Sequence, residues 1–346
     1  KGYTMTIYLV GNAPADFDTP VGVGSANVSA MTYTNTWSSP TNELGCVTAI
    51  TDPNLGLETK FSEPASDFWI TFYTAVNTAS TGNNFFTLID GTGVDILRFV
   101  PLTSSSFKVD IRNGTSYTTV ITPIAFDPKN DPKRFDVKFK MHDTLGVIEI
   151  YNNDSLVGSY AGDTLPTPTT EIGSARFKNW RNNTSWTYAA FYSQILATDT
   201  STRGIEVIQT QPNAATIYAG QDSGGLTDIN EITPDLTSDN SKMIFSVADA
   251  KSAFTTTSVN TNFDTGWQVV SVISTARAVR GAGSPVSTVA PMVRTATGVD
   301  AFASPETISD TSFGTVYKEF TVNPDTTSAW TVAEANAAAV GLRVAT

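Results

Sequence analysis

Apolar and polar positions alternate with a period of two through residues 135–160, which read FDVKFKMHDTLGVIEIYNNDSLVGSY. Phe135, Val137, Phe139 and Met141 alternate with Asp136, Lys138 and Lys140, the pattern of a strand with one buried and one wet face. HDTLG makes a turn. Val147, Glu149 and Tyr151 then alternate with Ile148 and Ile150, and NNDS makes a second tight turn before residues 156–160. The stretch predicts an antiparallel meander with Phe135, Phe139, Val147 and Tyr151 as its core.

The same reading extends along the chain. Strands are expected at 6–10, 26–33, 57–61 and 68–73, the last with aromatic side chains on both faces, as in a strand buried inside a sandwich. Further strands follow at 85–90, 94–100, 107–112 and 116–122, the last two joined at Asn113-Gly114, a strong hairpin signal. Strands at 172–177 and 186–196 close the series. In this order the aromatic strand, the polar hairpin, the meander with its Ser155-Leu156-Val157-Gly158 segment and the Tyr-containing closing strand resemble the laminin-G-like, concanavalin-like jelly rolls. The resemblance covers about residues 56–211 and implies a mainly β sandwich. Such folds host sugar binding, protein binding or neither, so fold alone assigns no function.

From Pro212 the composition changes, and Gln221-Asp222-Ser223-Gly224-Gly225 reads as a linker or entry loop. Strands are expected at 242–247, 266–278, 286–294, 314–322 and 341–344. Residues 330–339 form one short helix, with Thr331 and Glu334 at capping-box spacing and Gly341 as its stop. Gly225-Leu226-Thr227-Asp228-Ile229-Asn230-Glu231, the strand ending Ala276-Arg277, Val293-Arg294, Asn323-Pro324-Asp325-Thr326 with Ala329-Trp330-Thr331, and Val340-Gly341-Leu342-Arg343-Val344 together resemble a C-terminal domain of tailed-bacteriophage structural proteins. That resemblance implies a virion component, on capsid or tail, of decoration, fibre or spike type. The expected division is an N-terminal strand segment (1–35), a jelly roll (36–211) and a smaller β-sandwich-like C-terminal domain with one helix (212–346).

Composition narrows the chemistry. Charged residues make up 16% of the 346, against roughly a quarter in an average soluble protein. The net charge of −12 argues against nucleic acid as a partner. No apolar run is long enough for a membrane span, and no secretory leader is read in the short apolar stretch at residues 5–10. Cys46 is the single cysteine, so no intrachain disulfide forms. His142 is the single histidine, which removes multi-histidine metal sites and leaves it a turn residue, and no G-x-S-x-G elbow occurs.

Glycoside hydrolysis needs two carboxylates flanking the bond, whereas Glu149 stands alone on its strand. A catalytic site is therefore not expected, and glycan hydrolysis ranks last among the readings. Asp90 and Asp95 bracket a Gly-Thr-Gly turn with hard oxygens that could hold calcium, with turn formation the simpler role; no other cofactor is implied. Trp180, Arg181 and Asn182, in the loop before Trp186, combine an aromatic face with planar polar groups and form a candidate glycan platform, possible as a host-surface contact. The partners expected are other virion proteins and further copies of the chain, with a trimer the common closure for fibres and knobs.

Overall fold

The computed structural model describes residues 5–11, 19–21, 28–32, 46–50, 56–76, 84–103, 105–126, 133–165, 171–178, 190–205, 207, 249–256, 268–278, 280, 287–308 and 314–345. Two units are present, Met5–Ile208 and a second made mainly of Gln209–Thr346.

Among the described residues the larger unit contains fifteen strands: β1 (Ile7–Gly11), β2 (Thr19–Val21), β3 (Val28–Thr32), β4 (Cys46–Ile50), β5 (Gly56–Ala65), β6 (Asp67–Val76), β7 (Phe86–Asp90), β8 (Asp95–Thr103), β9 (Ser106–Asn113), β10 (Ser116–Ala125), β11 (Lys133–Lys140), β12 (Gly146–Asn152), β13 (Ser155–Gly162), β14 (Ile172–Lys178) and β15 (Ala190–Thr198). One sheet runs β13-β12-β11-β6-β15-β4-β3 with β1 added on β15, and the other runs β10-β9-β8-β7-β14-β5-β2. All pairs in both sheets are antiparallel, and the unit is a jelly-roll sandwich. The N-terminal β1 belongs to it through its pairing with the closing strand.

Two hairpins show how the sequence sets the register. Asn153 and Asp154 take φ of 45° and 65°, the paired left-handed geometry of a two-residue turn that Asn and Asp tolerate. At the β9–β10 turn Gly114 takes φ of 60°, and Asn113 pairs with Ser116. Between the sheets lies an aromatic core. Phe72 of β6 meets Phe86 of the facing sheet at 4.8 Å between ring centroids, and Phe135 meets Phe107 at 5.7 Å and Phe126 at 4.6 Å. The closing strand contributes Tyr192, whose buried hydroxyl lies 2.6 Å from the Lys178 carbonyl and 2.9 Å from that of Phe85.

The meander is present as β11, β12 and β13, but its inward face differs from the expected one. Val137 pairs with Ile150 and Phe139 with Ile148, and all four are fully buried. Glu149 and Tyr151 therefore face outward with Val147, so Val147 and Tyr151 are not core. On β12 both alternating sets are apolar enough to be inside, and the partner strand's register decides between them. Asp136 is likewise not wet: it is fully buried on the outward side of β11 beneath Arg134. The strand at 68–73 points Phe68, Ile70 and Phe72 into the core and Trp69 outward.

The second unit has a sheet of β16 (Lys251–Thr255), β22 (Ala339–Ala345), β18 (Thr288–Arg294) and β19 (Asp300–Phe302), with β20 (Glu306–Thr307) also on β18. A two-stranded sheet pairs β17 (Val272–Ala278) with β21 (Gly314–Phe320). Val293, Trp330 and Ala338 form one cluster of its core, and Trp330 Nε1 donates to the Phe320 carbonyl at 2.7 Å.

Helix α1 (Val332–Ala337) starts at Thr331 with the expected capping box: Glu334 N–H donates to Thr331 Oγ1 and Thr331 N–H to Glu334 Oε2. It stops at Ala338, before the expected Gly341, because Gly341 already lies within β22, paired to Ala253 and Met292. A Cβ there would overlap the Ser252 carbonyl and come within 2.7 Å of Ala253 Cα, so close strand approach is what requires this glycine. The expected strand at 242–247 lies outside the described residues.

Candidate functional site

Trp180, Arg181 and Asn182 lie outside the described residues. Asp90 is buried, and its Oδ1 accepts from Thr92 N, Thr92 Oγ1 and Val94 N, each at 2.8 Å. These bonds close the turn on one carboxylate oxygen. Asp95 instead pairs with Arg176 at 3.2 Å. The two carboxylates thus serve different partners. Among the described residues no cluster of three or more histidine, cysteine or carboxylate side chains could hold a metal ion. His142 Nδ1 accepts from the amides of Thr144 and Leu145 at 3.1 and 3.0 Å, which fixes its turn.

The outward face of the β13-to-β3 sheet carries an arrangement that the pattern along the sequence does not reveal. Trp69 on β6 stands opposite Lys138 on β11, and Lys138 stands opposite Glu149 on β12, with Tyr151 two positions further on. Because Phe68, Ile70, Ile148 and Ile150 take the inward positions, Trp69 and Tyr151 must project to the solvent side. They lean over β11 toward each other, with ring centroids 5.9 Å apart and planes 30° apart, both half-buried.

Polar groups ring the pair. The Tyr151 hydroxyl donates to Glu149 Oε2 at 3.0 Å, and burial, then the bond to Glu149 and its charge, raise the phenol above its usual value and keep it protonated. The Arg203 guanidinium lies 4.2 Å over the Tyr151 ring and Lys138 Nζ lies 5.7 Å from that of Trp69, both within cation–π range.

Arg203 is held in place from below. Buried Asp136 accepts from Arg134 Nε at 2.9 Å, from Arg134 Nη2 at 3.0 Å and from Thr202 Oγ1 at 2.9 Å, while Arg134 Nη2 also donates to the Thr202 carbonyl at 2.7 Å. The segment after β15 is thereby pinned to the sheet one residue before Arg203. Lys138 pairs with Asp67, and Arg203 with Asp154 at 3.6 Å, so neither cation beside the rings lacks a carboxylate.

The outward face of the other sheet is polar in a different way. Strand pairing places Glu58, Arg176, Thr87, Arg98, Asp110 and Thr119 side by side on six neighbouring strands. Arg176 donates to Glu58 from Nη2 at 2.7 Å and Nε at 3.0 Å, and Arg98 reaches Asp110 at 3.2 Å while its guanidinium stacks 3.3 Å over Tyr117. Thr87, covered by this row, is 2% exposed.

Burial alone would raise the Asp110 carboxyl, but the hydrogen bonds from Thr119 and Lys108, the Lys108 charge and the bond from Arg98 outweigh it and hold the group below its usual range. A folded value below the unfolded one gives stability that is present above pH ~3.9 and lost as pH falls through the folded value. The stability gap between the parent and Asp110→Asn is therefore expected to shrink below pH ~4. Chemical denaturation across pH 7 to 2 reads it, and a gap independent of pH would contradict this account.

No protein-family model matches the chain, and no curated protein does. Among solved structures it is similar to an endo-β-1,4-glucuronan lyase from the fungus Trichoderma reesei, at 13% identity over 59% of this chain and 98% of that one, with a TM-score of 0.41. It is similar to the globular domain of T. cruzi calreticulin at 10% identity over 56% and 88%, TM-score 0.37. The binding domain of botulinum neurotoxin DC, in complex with SialylT, matches at 12% identity over 56% and 47%, TM-score 0.38. Likenesses of this size assign neither activity nor ligand, and the jelly-roll assignment rests on the sheets described above.

Proposed function

We propose that the chain is a glycan-binding protein whose jelly roll holds a neutral saccharide against Trp69 and Tyr151. The observation that carries this reading is the pair of half-buried rings on a solvent-facing sheet surface, 5.9 Å apart and ringed by Glu149, Lys138 and Arg203. Sugar rings present C–H faces that pack on aromatic surfaces, and their hydroxyls need a few fixed donors and acceptors at the edge. With both neighbouring cations already paired to carboxylates, the platform offers no surplus positive charge for an acidic sugar.

Trp69→Ala is expected to weaken binding to a neutral polysaccharide about tenfold, the loss of one aromatic contact of roughly 1–1.5 kcal/mol. Affinity electrophoresis against a panel of neutral polysaccharides measures this; retention unchanged in Trp69→Ala and Tyr151→Ala alike would overturn the reading. Binding without turnover is part of it, since Glu149 is engaged by Tyr151 and the nearby Asp67 and Asp154 by cations. Release of reducing ends from a bound polysaccharide would contradict that part.

For the biological setting, the resemblance of the C-terminal segments to tailed-phage structural proteins favours an exposed component of a virion, present in several copies. Mass spectrometry of purified particles tests the placement, and light scattering at high concentration tests self-association; absence from the particle, or a stable monomer, would count against them.

A further inference from the structure

The outward face of the β10-to-β2 sheet departs from the charge of the molecule around it. The chain carries −12, yet the outward positions of this sheet's described strands hold six basic side chains against three carboxylates. The carboxylates are Glu58, Asp95 and Asp110, and each is already paired to an arginine. Arg112 and Lys178 lie outside these pairs. Strand pairing sets Lys178 and Lys108 on one side of the central Glu58-to-Thr119 row and Lys60 and Arg112 on the other. Among the described residues neither Arg112 nor Lys178 forms an ion pair, and burial, then the charge of Arg176, lowers the Lys178 ammonium below its usual value. An anion at that position would favour the charged ammonium and offset both effects.

We infer that this face is a second binding surface, for a carboxylate-bearing polysaccharide lying across the strands over the Arg176–Arg98 row. A chain of acidic sugars presents both an anion and neutral hydroxyls in every unit. Lysines and arginines suit the first, and the carboxylates set between them accept from the second. A polyphosphate backbone has few donors to offer those carboxylates and would meet them as like charges. Base stacking is also poorly served, because Arg98 already covers the Tyr117 ring. Arg176, held between Glu58 and Asp95, and Arg98, held by Asp110, are fixed in orientation before any ligand arrives. The surface is separate from the Trp69–Tyr151 platform and does not depend on it.

The test uses the full chain with oligogalacturonate, its methyl-esterified neutral form and a single-stranded DNA of equal charge, measured by calorimetry or fluorescence anisotropy at two salt concentrations. Oligogalacturonate should bind, weaken as salt rises and lose about tenfold or more in the double variant Arg112→Gln/Lys178→Gln, with the neutral ester binding far less. An unchanged unfolding midpoint in that variant would show that the loss is local. The inference is overturned if oligogalacturonate does not bind, if the double variant binds as the parent does, or if the DNA binds as tightly. Neutral-polysaccharide binding measured on the same variant separates the two surfaces: its retention alongside lost oligogalacturonate binding is the expected pattern, and parallel loss of both would place them at one site.

Discussion

Replacing Asp136 by Ala is expected to lower the unfolding free energy by about 3–5 kcal/mol, because it strands a buried guanidinium without its counter-charge. Arg134 is almost wholly enclosed, and both oxygens of Asp136 accept from it. The same substitution removes the acceptor for Thr202 and so loosens the segment that carries Arg203 over Tyr151. Removing both partners should behave differently: Arg134→Met with Asp136→Leu leaves no uncompensated charge and is expected to lie much closer to the parent than the single variant. Equilibrium urea unfolding of the two single variants and the double gives the coupling. A single Asp136→Ala variant within about 1 kcal/mol of the parent would mean that the pair contributes little beyond filling space.

How much of this was legible in the sequence depends on what decided each feature. The hairpin at Asn153 and Asp154 and the capping box at Thr331 and Glu334 are local, set by residues within a few positions of one another, and both are where the pattern placed them. The inward face of β12 is not local. Ile148/Ile150 and Val147/Tyr151 are competing apolar sets, and only the pairing of β12 with β11 brings Ile148 opposite Phe139 and so turns Tyr151 outward. The Trp69–Tyr151 pair was hidden for the same reason, since its members are 82 positions apart in sequence and meet only because β6, β11 and β12 are neighbours. One signal was available: aromatic residues on both faces of the 68–73 strand require that one set point away from the core of a two-sheet sandwich. The burial of Asp136 could not be read from alternation either, since a charged residue at an outward position reads as wet until a second strand or segment covers it.

Phe135→Ala should be the most costly single truncation in the core, at about 3–5 kcal/mol. Its ring contacts come from both sheets: Phe72 at 5.5 Å on the neighbouring strand β6, then Phe107 at 5.7 Å and Phe99 at 6.3 Å across the sandwich, with Phe126 at 4.6 Å closing the edge. The site is fully buried, so the cavity would have no exposed wall to collapse from, and the surrounding rings are themselves held by further aromatic neighbours such as Phe85 and Phe86. Phe135→Leu keeps more of the volume and is expected to recover a large part of the loss. The two variants also separate packing from function. The Phe135 side chain points away from the outward surfaces, so both should retain polysaccharide binding at temperatures where they remain folded. If Phe135→Ala unfolded at nearly the parent's urea midpoint, the two sheets would have to be joined mainly through other contacts, because a core centred on this ring cannot lose it without separating Phe72 from Phe107 by an unfilled gap.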